Sequence, residues 1–230
     1  MQPTYLPWLG YLAMIEKADQ FVFLDNVQFD HRSWQQRNRI KTKEGELWLT
    51  VAVKKKGETG QLINEVKCLE LERDIEKHFK SLAHVYKKAK SYPIFYDKFY
   101  DAVRNAAIAS EGYLGHFNMS IIKFLCTYAG LKNDFLISSN MSASGTKDSL
   151  LANICEELEA DIYLSAPASK VYLDDSTAFL DKGIDIKYHD YKHPCYPQMF
   201  GEFMVGMSCI DAFFNIEREN LKPLILSGCK

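Results

Sequence analysis

Short apolar runs alternating with stretches of helical periodicity constrain this chain more than any other feature. Residues 20–24 (QFVFL), 47–53 (LWLTVAV), 134–138 (DFLIS) and 161–164 (DIYL) are largely apolar. A continuous run of this kind, unlike a polar/apolar alternation, reads as a strand buried on both faces of a parallel sheet. Between the runs, apolar residues recur at three- and four-residue spacing. Leu9, Leu12, Ala13 and Ile15 mark a short helix about residues 10–18. Residues 73–89, 94–109 and 111–131 carry the same pattern with Lys and Glu between, punctuated by Pro93, Gly112 and Gly130. Residues 147–159, 176–182 and 208–214 read as further helices, and 63–69 and 184–188 as further strands. Ser144, Thr146 and Asp148 cluster where the first of these helices should be capped. The residues 54–60 (KKKGETG) read as a tight charged turn. The expected fold is α/β: a mostly parallel, doubly wound sheet of nucleotidyl-transferase-like Rossmannoid layout. One domain covers residues 1–230, with a helical section inserted at about 70–132.

Composition narrows the function classes. With 230 residues, 47% of them hydrophobic, the chain can bury a sizeable core. A net charge of −2 offers no global basic field, so no nucleic-acid partner is expected. No run approaches the roughly 18 apolar residues of a spanning helix, and no basic-then-apolar leader opens the chain. The expectation is a cytoplasmic protein without membrane insertion. Cys68, Cys126, Cys155, Cys195, Cys209 and Cys229 form no CxxC or CxxH pair. They read as buried free thiols, not as a disulfide framework or zinc site. No spacing of two histidines and a carboxylate suggests a metal, and no GxSxG turn suggests a serine hydrolase.

The chemistry concentrates in residues 1–42. Gln2, Thr4, Tyr5, Trp8 and Tyr11 lie in a turn with two prolines, just before a helix start where backbone amides can hold an anion. Residues 25–42 read as a loop at a strand's carboxyl end, where parallel sheets bind ligands. That loop carries Gln28, His31, Arg32, Trp34, Arg37, Asn38 and Lys41. Guanidinium forks fit phosphate or carboxylate in a bidentate way, and the indole offers a stacking face. The bland readings are aromatics packed over a sheet edge and a solvated basic loop. Lys147 follows a Ser-Gly-Thr turn that an ordinary helix cap also explains. Ser165 and Lys170 follow the run DIYL and would supply a second wall. His189 and His193 bracket Asp190 and Tyr191 in a loop rich in Pro and Tyr, with Gln198 beyond. His31 and His193 are the acid–base candidates, because both fall on loops near the expected site. His78 and His84, on an amphipathic helix, read as surface residues.

The runs QPTYLPWLGYLAMIEKAD, FVFLD, VQF, RSWQQRNRIKT and LTVAV, with GTKDSLLANICEELEADIYLSAPASKVYLD and the closing DIKYHDYKHPCYPQMFGEFMVGMS, resemble the bacterial WbqC-like family. The resemblance spans nearly the whole chain and implies a role alongside O-antigen and other surface-polysaccharide synthesis. It implies a transferase attaching an amino-acid or acyl group to a nucleotide-linked amino sugar. In that reading Arg32, Arg37, Asn38 and Lys41 hold phosphates or a carboxylate, Trp8 and Trp34 stack on the sugar or base, and Gln2, Gln28 and Gln198 orient. Relatives carry a few apolar residues before the Gln-Pro pair, whereas Met1 stands directly before it here, which implies a weakened first strand or a chain started late. They also carry Gly where Ala166 stands.

The layout is similar, at fold level, to nucleotidyl transferases and pantothenate synthetases with a histidine-bearing turn. Here that turn holds Trp8 and Tyr11 in place of histidine. A nucleotidyl transferase making an activated sugar is the alternative enzyme, and a non-catalytic nucleotide-sugar-binding subunit the alternative from another class. ATP or another nucleotide as cofactor is left open, as is a homodimer.

Overall fold

The computed structural model describes residues 1–54, 60–132 and 134–229, so the charged turn expected at 54–60 lies almost wholly outside the described residues. Helix α1 (Leu9–Lys17) opens the chain and leads to strand β1 (Phe21–Phe23). Strands β2 (Arg37–Thr42) and β3 (Gly45–Thr50) follow as a hairpin. Three helices come next, α2 (Leu71–Tyr86), α3 (Tyr92–Ala109) and α4 (Leu114–Ala129). Then β4 (Phe135–Ile137), α5 (Lys147–Glu157) and β5 (Ile162–Ser165) restore the alternation. The short helices α6 (Lys170–Leu173) and α7 (Thr177–Leu180) precede β6 (Asp185–Tyr188), and α8 (Cys209–Asn215) and α9 (Arg218–Ser227) close the fold.

The architecture is mixed α/β with small parallel sheets. β1 pairs with β4 and β5 with β6, both parallel, while β2 and β3 are antiparallel. Among the described residues these are three separate two-stranded pieces, with no ladder that joins them into one doubly wound sheet. Strands of three to six residues leave little edge for further pairing. Met1 does extend β1 sideways: its α-ammonium donates to the Val22 carbonyl at 2.6 Å, and Leu24 N–H donates to the Met1 carbonyl at 2.8 Å.

Two expectations are corrected. Residues 25–42 were expected as loop, yet Arg37–Thr42 forms β2, because Asn38 and Ile40 turn inward while Arg37 and Arg39 turn toward the rim. With polar residues on both faces, that alternation leaves no hydrophobic period to read. Gly45, at φ +115°, closes the hairpin in backbone that a side chain rarely adopts. Residues 63–69 were expected as strand but form a 3₁₀ turn at Ile63–Glu65 followed by isolated bridges to Val53 and Tyr113.

The helical section shares one core with the N-terminal turn and the closing helices. Tyr86 of α2 stacks on Phe214 of α8 with centroids 4.6 Å apart, and Phe95 of α3 packs on Phe213. Each such ring, fully buried, contributes about 1.5–3 kcal/mol. Pro93 sits in the first turn of α3, where its missing N–H costs nothing, and Gly130 caps α4 in left-handed backbone. His78, expected at the surface of α2, is buried: its Nδ1 lies 2.8 Å from the Tyr5 hydroxyl. A smaller core of Ala152, Cys155, Leu173, Phe179 and Ile184 holds α5, α6 and α7 against β5 and β6. No helix of the described residues is long and apolar enough to cross a membrane.

Candidate functional site

A cleft of about 590 Å³ opens where three parts of the chain meet. The first wall is the N-terminal turn, with Gln2, Thr4, Trp8 and Tyr11. The second is the segment into β2, with Trp34, Gln35, Asn38 and Arg39. The third is β5 and the segment after it, with Tyr163, Ser165, Ala166, Ser169 and Tyr172. The two prolines keep residues 2–8 out of helix, and the chain enters α1 through Trp8, whose indole folds back over Gly10. A Cβ at Gly10 would lie 2.1 Å from that ring, so glycine is what lets the indole occupy its place. The edge of Tyr191 holds the indole from behind, with centroids 5.3 Å apart.

The walls are tied by amides. Gln35 Nε2 donates to Gln2 Oε1 at 2.9 Å, and its Oε1 accepts from Asp30 N–H at 3.1 Å. Asn118, fully buried on α4, donates to the carbonyls of Pro3 and Gln35 at 3.2 and 2.7 Å. Asn38 Nδ2 donates to the Leu6 carbonyl at 2.6 Å, which also accepts from Ser208 Oγ at 2.8 Å. Residues 206–208 close the far side: Ser208 N–H donates to the Arg39 carbonyl, and a Cβ on Gly206 would stand 3.4 Å from the Arg39 guanidinium.

The rim is aromatic and cationic. Trp34 and Trp48 stack with centroids 5.6 Å apart, and both are well exposed. The Arg37 guanidinium lies 4.5 Å from the Trp48 ring centre, and that of Arg39 lies 5.9 Å from Trp34. Arg39 pairs with Glu46 at 2.7 Å, a half-exposed contact of modest strength that an incoming anion can replace. Within the cleft, Ser165 and Ser169 hydroxyls are 2.5 Å apart. Burial raises the Tyr163 phenol above its ordinary range, which keeps it a hydrogen-bond donor. Thr4 Oγ1 is buried without a partner and lines the same space.

Of the residues singled out from sequence, Gln2, Thr4, Trp8, Tyr11, Trp34, Asn38 and Ser165 line this cleft. The others do not. Tyr5 is buried against His78, and Lys41 is buried and donates to the Glu202 carbonyl. Gln198 bridges its own loop, bonding to Met204 N–H and carbonyl. Gln28 pairs with Leu62, Arg32 is exposed in left-handed backbone, and Arg37 stands on the rim. Lys147 and Lys170 are exposed, Lys170 4.0 Å from Asp174. His31 is exposed against Phe29. His193 packs near Tyr196 and Phe203, with Nδ1 3.1 Å from the Pro194 carbonyl and its basicity lowered by burial. Arg39, one of the arginines read as a source of charge, and Ser169, in the segment read as the second wall, also line the cleft. Gln35, Tyr172 and Asn118 were missed, Gln35 although it lies inside the basic loop. Asn118 was visible as an amide on the apolar stripe Leu114, Phe117, Ile121 and Leu125.

No cluster of three or more His, Cys, Asp or Glu residues suited to a metal occurs among the described residues. The cysteines are free, and Cys195 is exposed. An uncharacterized protein of Mycobacterium tuberculosis (strain ATCC 25618 / H37Rv), Rv1507c, is 29% identical over 239 residues, covering 100% of this chain and 97% of that one. No solved structure matches significantly. A family model described as the WbqC-like protein family matches residues 2–223, and the chain therefore belongs to the WbqC-like protein family.

Proposed function

We propose that the cleft binds a nucleotide-linked amino sugar and that the protein is a transferase of bacterial surface-polysaccharide synthesis, placing an amino-acid or acyl group on the sugar amine. One observation carries the reading. A cleft lined by Trp8, Trp34, Tyr163 and Tyr172 also presents the Arg39 fork and a set of amides and hydroxyls. Indole and phenol faces suit a sugar or base, the guanidinium suits phosphate, and neutral donors suit sugar hydroxyls. If the incoming group arrives as an acyl phosphate or acyl adenylate, the amine nitrogen attacks the carbonyl carbon as the phosphate oxygen leaves. The departing phosphate can take the amine proton, so this chemistry needs no histidine at the cleft. The protein's part is then to place amine and carbonyl together, which is a large share of catalysis in such reactions.

The second reading, a non-catalytic nucleotide-sugar-binding subunit, draws on neither His31 nor His193 being among the lining residues. A thermal-shift panel of UDP- and TDP-linked amino sugars, ATP, CTP and acyl-CoA, followed by mass spectrometry of the sugar, separates the two. Stabilisation by a nucleotide sugar, lost in Arg39→Ala and Trp34→Ala, with a mass gain on incubation with ATP and amino acids, supports the transferase. Binding without any mass gain leaves the subunit reading. No response to any nucleotide removes both.

A further inference from the structure

A second cavity, of about 620 Å³, lies beyond the carboxyl ends of the parallel pair β1 and β4 and plays no part in the cleft above. Asp25 and Ser139 line it from the two strand ends, and Asn64, Lys67, Tyr113 and His116 from the turn and helix beside them. Asp25 is 1% exposed. Its carboxylate accepts from Ser139 N–H at 2.9 Å and from Ser139 Oγ at 2.7 Å. The Ser138 hydroxyl stands 3.0 Å from it but closer to Asn26 Oδ1, at 2.6 Å, so its single proton is contested. No cation pairs with Asp25 among the described residues. A carboxylate so far from water is costly unless it meets a positive charge or enough donors, and two firm neutral donors do not fill its acceptor capacity. Asn64 Oδ1, another acceptor at this cavity, is buried without a partner.

Of the other lining residues, Lys54 and Lys67 are cationic, while the Glu65 carboxylate turns back to accept from Leu62 N–H at 3.2 Å. Lys67 Nζ sits 4.4 Å over the Tyr113 ring and has no carboxylate partner among the described residues. His116 belongs to the first turn of α4, where the N-cap Tyr113 side chain makes no capping bond and Leu114 N–H donates to the Val66 carbonyl at 2.9 Å. The cavity thus offers acceptors at Asp25 and Asn64 and cationic groups at Lys54 and Lys67 beside the start of α4.

We infer that this cavity is a binding site for a small zwitterion such as an α-amino acid, its ammonium on Asp25 and Asn64 and its carboxylate on Lys67 and the first turn of α4. The inference stands apart from the nucleotide-sugar reading, because the two cavities share no lining residue. The test titrates the full chain, labelled with ¹⁵N, with glycine and with its two halves, methylammonium and acetate, and with inorganic phosphate. Glycine is expected to move the amide signals of Asp25, Ser139 and His116, with each half binding at least tenfold more weakly. Asp25→Asn, whose amide oxygen can still accept from Ser139 N–H, and Lys67→Met, at an exposed position, are each expected to weaken glycine tenfold or more. Trp34→Ala is expected to leave glycine binding unchanged. No glycine-dependent shift overturns the inference, and so does acetate or phosphate binding as tightly as glycine and indifferent to Asp25→Asn.

Discussion

The two faces of the segment from Trp34 to Thr42 do opposite work. The buried residues, Gln35, Asn38 and Ile40 with Lys41 beyond them, have polar atoms spent on protein partners: Gln2, Leu6 and Glu202. The rim pairs the exposed Trp34 and Trp48 with the half-buried Arg37 and Arg39 and, among the described residues, is engaged by stacking and one displaceable ion pair. One strand therefore joins a fixed frame to an unspent surface. Buried amides are expensive to leave unpaired and hold a single geometry. Exposed indoles and guanidinium groups cost little to keep and are free to meet a ligand.

The sharpest way to break that contrast is at the frame. Asn118→Leu would strand the Pro3 and Gln35 carbonyls, and a loss of about 4 kcal/mol is expected from two unpaired buried acceptors. Urea denaturation reads it, and a loss under about 1 kcal/mol would mean the walls are held by something else.

A second effect comes from His78. Burial pushes this imidazole down to about 4 from an ordinary 6.5, so the folded state binds fewer protons than the unfolded one. Its contribution is full above pH 6.5 and is lost as pH falls toward 4, about 3 kcal/mol in all. His78→Gln should flatten that acid limb of the stability curve, and an unchanged limb would place the titration elsewhere.

Gly10→Ala joins frame to rim. The added methyl must displace the Trp8 ring, at about 2 kcal/mol, and a drop in melting temperature should accompany weaker nucleotide-sugar binding. The smallest stability effect belongs to the rim itself. Trp34→Ala, at a residue 49% exposed, should cost under about 1 kcal/mol while abolishing binding in the cleft. A large stability loss there would make the rim part of the frame and erase the distinction.

Legibility followed the same division. The turn at Gln2–Tyr11 and the loop around Trp34 stood out because tryptophan, arginine and amides were dense where a core does not need them. Their cleft partners after β5 were found from the rule that ligands sit beyond strand ends, and Ser165 does line the cleft. Lys41 and Tyr5 were read as ligand contacts from residue type and from their place in the two N-terminal loops. Both are buried, and Tyr5 is bound to a residue 73 positions away, which no local pattern carries. His78 failed for the same reason: an amphipathic period says which face turns inward, not that a polar side chain at its margin will find a buried partner.

What the sequence determined by itself is most of the set of elements. Apolar runs, helical periods, Pro93, Gly130 and the cap at Thr146 place most helices and strands within a few residues, since those signals are local and steric, while α6 and α9 went unread. It also marked the chemistry-rich stretch and the family. Tertiary structure alone decided how the strands pair, that Arg37–Thr42 becomes a hairpin strand with two unlike faces, and which polar residues are used up in the frame. Hydrogen-bond partners such as Asn118 with Pro3 and Gln35 lie 115 and 83 residues apart. Such pairings are chosen by where whole elements pack, and residue type only limits what they can then do.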